Sequence, residues 1–133
     1  MLNRLTDTLD FQGQALALRS ERQRLLASNI ANAETPGYVA RDMDFARALR
    51  EATGSAGGAA LATSTAGHIG APTGARAEAN LLYAQPSQTN LDNNSVDMDR
   101  ERAAFADNSV RYEAALRFIN SHVRTLTSAI TGQ

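Results

Sequence analysis

The run Leu91 to Glu101, LDNNSVDMDRE, gathers carboxylates and side-chain amides as densely as an oxygen-ligand calcium loop does. Counted from Asp92, however, Asp97 stands where such a loop turns on glycine, and Ala103 where it needs a bidentate glutamate. The same acids suit the start of a helix, because Asp97, Asp99 and Glu101 fall in a first turn and complement the positive end of the helix dipole. The pairs Asp42/Asp44 and Asp97/Asp99 could serve acid-base catalysis if buried together in a cleft. Spacing by two in a loop or first turn predicts a cap and a solvated partner instead. His68 and His122 have no second ligand at helical spacing, and GSAGG lacks the lysine and preceding strand of a phosphate loop. With no cysteine, neither a disulfide nor a thiolate nucleophile can exist. The residues therefore predict no catalytic, cofactor or metal site and no enzyme. Arg19, Arg22 and Arg24, interleaved with Glu21, form a basic cluster that reads as a salt-bridging face able to set register between chains.

Composition narrows the partners. A net charge of -1 lacks the clustered positive excess that nucleic acid or anionic lipid demands, so neither is expected. All 13 basic residues are arginine. The first residues, MLNRLTDTLDFQGQ, are amphipathic without the apolar core of a cleavable signal peptide, and no stretch approaches membrane-spanning length, so direct lipid insertion is not expected. On these grounds alone the chain reads as cytosolic. Low aromatic content and abundant alanine predict a thin core.

The elements that must position these residues form four zones: an N-terminal assembly helix over 1–33, a turn and short helix over 34–52, a flexible insert over 53–95, and a C-terminal assembly helix over 96–131. The insert is rich in Gly, Ala, Ser and Thr, too poor in large apolar side chains to offset the entropy of ordering. In the C-terminal arm Met98, Phe105, Tyr112, Ile119 and Leu126 recur every seven residues, with Leu116, Val123 and Ile130 offset by four. This predicts a coiled-coil-like seam, interrupted by Arg102 and Ser109 and stopped at Gly132. The N-terminal arm carries Leu2, Leu5, Leu9, Leu16, Leu26 and Ile30 on one face. Phe11, Leu18 and Leu25 repeat on a second face, roughly 100 to 180 degrees round the cylinder from Leu9, Leu16 and Ile30. A hairpin of the two arms supplies one seam and leaves Phe11, Leu18 and Leu25 wet, so several chains are expected to complete the fold.

Between the arms, SNIANAETPGY punctuates the chain. Pro36 pushes Thr35 out of the helical region, and Pro36-Gly37 suits the centre of a type II turn before Tyr38. The Asn29 and Asn32 amides can donate to orphan helix carbonyls or to a neighbouring chain. Beyond the turn Tyr38, Val39, Met43 and Phe45 form an apolar clip, with Asp42 or Asp44 able to cap a short helix through Leu49.

These residues carry a resemblance. LRSERQRLLASNIANAETPGYVARDMDF resembles the N-terminal signature of bacterial flagellar rod and hook proteins, and the uninterrupted TPGY with ARDMDF is similar to the proximal rod member of that family. NNSVDMDRERAAFADNSVRYEAALRFINSHVRTLTSAI, Asn93 to Ile130, is similar to the family's C-terminal signature. In the middle only His68-Ile69 resembles the family, and Arg102 stands where it usually has an apolar residue. The resemblance implies an all-α structural subunit of the proximal rod, its terminal helices paired within a multi-subunit helical tube around a small irregular insert. It implies contacts with copies of itself, other rod proteins and the membrane-ring or export-gate adaptor. It also implies passage through the flagellar type III export apparatus without a cleaved signal, and a final place in the periplasmic rod of the basal body. The implied assembly interface is Leu9, Phe11, Leu16, Leu18, Leu25, Leu26 and Ile30 with Phe105, Tyr112, Leu116, Ile119, Val123, Leu126 and Ile130. Asn29, Asn32, Thr35, Pro36, Gly37 and Tyr38 form the signature turn. The alternative is a soluble adaptor or export chaperone whose arms close into an intramolecular hairpin.

Overall fold

The computed structural model describes residues 2–54, 81–83 and 91–132. His68, His68-Ile69 and the Gly/Ala-rich run from residue 55 lie outside them. Helix α1 spans Leu2–Ala31, strand β1 Arg41–Met43, helix α2 Phe45–Ala52, strand β2 Leu81–Tyr83 and helix α3 Met98–Thr131. Helix thus dominates, as the periodicities require, and the two long arms lie against each other. They run antiparallel: Asn29 meets Glu101, while Gln23 meets Ser109 further along.

Each end has a local cause. Asp97 caps α3 by accepting from the Asp99 and Arg100 N–H groups, and Gly132 at φ +73° closes it with its N–H on the Ser128 carbonyl. Asp44 caps α2 by accepting from the Arg47 N–H, and that helix continues beyond Leu49 to Ala52. Asp42 is not a cap; its carboxylate grips Arg22. After α1 the Tyr38 N–H donates to the Thr35 carbonyl with Gly37 at φ +73°, the geometry of a type II turn.

The structure corrects three expectations. First, the second stripe of α1 is largely covered within the chain. Leu18, only 4% exposed, forms a core with Met43 and Ala48, and Leu25, Phe45 and Leu49 pack against it. The clip after the turn folds back and does what a second helix was expected to do; Phe11 alone of the stripe stays open, at 44%. Second, α3 keeps only half of the expected seam, the set Met98, Phe105, Tyr112, Ile119 and Leu126, all half-buried. Its buried positions are Glu101 and Asn108, one heptad apart, whereas Leu116, Val123 and Ile130 face outward. Asn29 and Gln23 explain why Glu101 and Asn108 take the second line of the seam, because a buried polar side chain needs a partner, and these two find theirs on α1. Arg102, on the outward side, therefore interrupts nothing within the chain. Third, the middle is not wholly irregular: β2 pairs antiparallel with β1, Arg41 opposite Tyr83 and Met43 opposite Leu81.

Candidate assembly site

The signature turn is one half of a clasp, and the start of the C-terminal arm is the other. An α-helix ends with unpaired carbonyls that some donor must satisfy. Asn32 begins the work locally, its Nδ2 on the Ser28 carbonyl at 2.8 Å. Asn94 completes it from the far side of the sequence: its buried Nδ2 lies 2.9, 2.9 and 2.7 Å from the carbonyls of Asn32, Ala33 and Thr35, while its Oδ1 accepts from the Val96 N–H. Asn93 takes a left-handed conformation, φ +56°, tolerable for asparagine. Backbone bonds add to the clasp, from the Gly37 N–H to the Asp92 carbonyl and from the Ser95 N–H to the Tyr38 carbonyl.

Asn29 joins three segments. Its Oδ1 accepts from the Arg41 N–H and its Nδ2 donates to the Arg41 carbonyl, so the side chain serves β1 as a neighbouring strand would. The same Nδ2 donates to Glu101 Oε2 at 2.9 Å, and the Tyr38 hydroxyl donates to Oδ1 at 3.2 Å. Further along, Asn108 Nδ2 donates to the Arg19 carbonyl and to Gln23 Oε1, and Gln23 Nε2 donates to Ser109. Asn108 is fully buried, and its Oδ1 has no hydrogen-bond partner among the described residues. The interhelical seam is thus polar.

The basic cluster is used in an unexpected way. Arg22 bonds both Asp42 oxygens, at 2.9 and 3.0 Å, and this contact raises its pKa against the lowering effect of burial. Arg19 lies over the Phe45 ring, 4.3 Å from its centroid. Burial, and then the positive charges of Arg111 and Arg22, lower its pKa. Arg24 reaches Glu21 on the surface. Of the acids considered for catalysis, Asp44 and Asp97 cap helices and Asp42 holds Arg22. Among the described residues no cluster of three metal-binding side chains occurs, and no helix is long and apolar enough to cross a membrane.

The expected assembly residues divide three ways. Leu18, Leu26 and Asn29 are buried; Leu9, Leu16, Leu25, Ile30, Phe105, Tyr112, Ile119, Leu126, Asn32 and Tyr38 are half-buried; Phe11, Leu116, Val123, Ile130, Thr35, Pro36 and Gly37 are exposed. Toward the open end of the hairpin, past Ala15 and Asn108, no described side chain is buried. Sequence reasoning missed Asn94, Glu101, Asn108 and Gln23. Glu101 and Asn108 did leave a signal, polar residues spaced by seven beside an apolar heptad, the pattern of a buried polar seam.

Residues 9–38, most of α1 and the whole turn, match the family described as flagella basal body rod protein. The chain is 50% identical over 135 residues to flagellar basal body rod protein FlgB of Proteus mirabilis (strain HI4320), with 98% of each chain covered. It is 46% identical over 136 residues to the protein of that name from Salmonella typhimurium (strain LT2), covering 99% of each. The like-named protein of Escherichia coli (strain K12) is 44% identical over 137 residues, which cover 98% of this chain and 97% of that one.

Proposed function

The chain belongs to the flagellar basal body rod protein family, and from that premise we propose that it builds the proximal part of the rod, its terminal helices packing against copies of itself and other rod proteins. Membership makes it a structural protein of the basal body, associated with other components there. The adaptor or chaperone alternative finds no support in these relatives, which are named as rod proteins. The finer reading has it leave the cell by the flagellar type III route without a cleaved signal. It would then stand in the periplasm, between copies of itself, neighbouring rod proteins and the adaptor at the membrane ring or export gate.

One observation carries the assembly reading: polarity is inverted across the hairpin. Among the described residues, three of the four largest fully buried side chains are asparagines, Asn29, Asn94 and Asn108, while Val110, Leu116, Phe118, Val123 and Ile130 are exposed. Water is a poor neighbour for the row that Leu116, Val123 and Ile130 form at every seventh residue, and removing it is worth roughly 1.5 to 3 kcal/mol per large apolar side chain. Helical partners that bring their own apolar stripes would bury it. The rod then gains cohesion from surfaces that a single chain leaves open, and register from the polar seam that each chain closes within itself.

Complementation tests this. In a bacterium lacking its own copy, Val123→Asp should be exported at normal levels yet leave cells non-motile and without rods in isolated basal bodies. Normal swimming by that variant would remove the packing model.

A further inference from the structure

One broad side of the hairpin carries α2, which lies over Leu18 and Leu25; Phe11, Arg111 and Phe118 line the notch beside it. Leu9, Leu16 and Ile30 lie on the opposite side of α1, in a row of every seventh residue that also holds Gln23. Gln23 bonds Ser109, which stands on α3 in the row of Leu116, Val123 and Ile130. That bond fixes the register of the whole side. In an antiparallel pair, seven residues back along α1 match seven forward along α3, which places Leu16 across from Leu116 and Leu9 across from Val123. The rungs are polar at Gln23 and Ser109 and apolar from there to the open end, where Val123 is 48% and Ile130 83% exposed.

Charge marks the two outer margins of this side. Asp10 stands two residues from Gln12, and Arg124 two from Leu126, so each lies roughly 160 degrees round its helix from the half-buried seam. Acid therefore edges α1, and base edges α3, within two residues of the Leu9 and Val123 rung. Both side chains are exposed, and neither makes an ion pair among the described residues.

We propose that two copies pair through these uncovered sides about a two-fold axis parallel to their helices, each α1 lying on the α3 of the other copy. Leu9 then meets Val123 of the second copy, Leu16 meets its Leu116, and Asp10 stands beside its Arg124, each contact made twice. A two-fold at right angles to the helices would lay α1 on α1 and α3 on α3, acid against acid at one margin and base against base at the other. Charge selects the first arrangement. The apolar part measures about 25 Å by about 20 Å, so the pair hides about 1,000 Å² in all, the low end of specific contacts, and it is weak and reversible. A two-fold pair closes on itself. It hides the row that the rod reading gives to neighbouring rod helices, so it is a form of the subunit outside the rod; only this consequence rests on that reading.

Sedimentation velocity of the full chain reads the pairing. Wild type should pass from monomer to dimer, and no further, between about 10 μM and about 1 mM. Asp10→Arg and Arg124→Glu change exposed side chains, and circular dichroism should show wild-type helicity. Each alone should pair at least about tenfold more weakly, a ratio equivalent to about 1.4 kcal/mol, because it sets like charges together at both margins. An equimolar mixture of the two should recover the loss, and so should the double variant Asp10→Arg/Arg124→Glu. A wild-type chain still monomeric at about 1 mM would overturn the proposal. So would particles that grow past a dimer, unchanged pairing of either single variant, or a mixture and a double variant no stronger than the single ones. A rodless Val123→Asp strain beside a monomeric wild-type chain removes the pair and leaves the rod reading, whereas a motile Val123→Asp strain beside a chain that pairs as described does the reverse.

Discussion

Replacing Asn94 with alanine removes the side chain that reaches across from the C-terminal arm to the end of α1. Its amide has two N–H groups serving three carbonyls, at 2.7 to 2.9 Å, and its oxygen accepts one further bond from the Val96 N–H. Counted as two donated bonds and one accepted bond, at about 1 kcal/mol net each, the loss is about 3 kcal/mol. A protein held together by about twice that would lose much of its folded population under mild denaturant. Asn94→Asp is the sharper probe. It keeps the shape and the acceptor for Val96 but places a carboxylate against three carbonyl oxygens and the negative end of α1. It should therefore cost at least as much as alanine. Urea titration of the full-length chain, followed by circular dichroism, measures both. If Asn94→Asp unfolds at the wild-type midpoint, the side chain merely fills space and the clasp is no clasp; a loss below about 0.5 kcal/mol for alanine refutes it equally.

Gly37→Val should weaken the turn by about 1 to 3 kcal/mol, since a β-branched residue is strained at φ +73° even though a Cβ there meets nothing within 4 Å. The expected phenotype is normal export with failed rod assembly, read from secreted protein and basal-body images. Asn108→Leu should cost about 1 to 2 kcal/mol by thermal melting, because it takes the amide's two donated bonds from the Arg19 carbonyl and Gln23 Oε1, a loss that removing a buried oxygen with no partner among the described residues offsets only in part. A loss above about 3 kcal/mol would show that the polar seam holds the hairpin together as well as aligning it.

Local chemistry makes much of this molecule legible in its sequence. The Asp44 and Asp97 caps, the Gly132 stop and the Thr35-Pro36-Gly37-Tyr38 turn each depend on a few neighbouring residues, and each forms where those residues predict it. What stays hidden depends on distant partners. An apolar heptad says that α3 has a sticky side but not which neighbour covers it, so periodicity alone points Leu116, Val123 and Ile130 inward when Glu101 and Asn108 hold that place. Residues 81–83 offer too short a run to be read as a strand without Arg41–Met43 opposite them. Asn94 is one asparagine in a polar stretch, and nothing local distinguishes it from Asn93. The assembly surfaces are partly readable, because Phe11, Val123 and Ile130 are too apolar for the exposure they have.

The reach of Asn94 back to Asn32 also makes finishing the fold a matter of timing. The amide that seals the first helix is separated from it by about sixty positions of chain, so the seal cannot form until that whole span has been delivered and its ends brought together. Whichever way the polypeptide is delivered, its leading segment stays unsealed until the trailing signature arrives. A product cut short before that point would lack its latch, and nascent or damaged copies would be open to proteases while finished ones close.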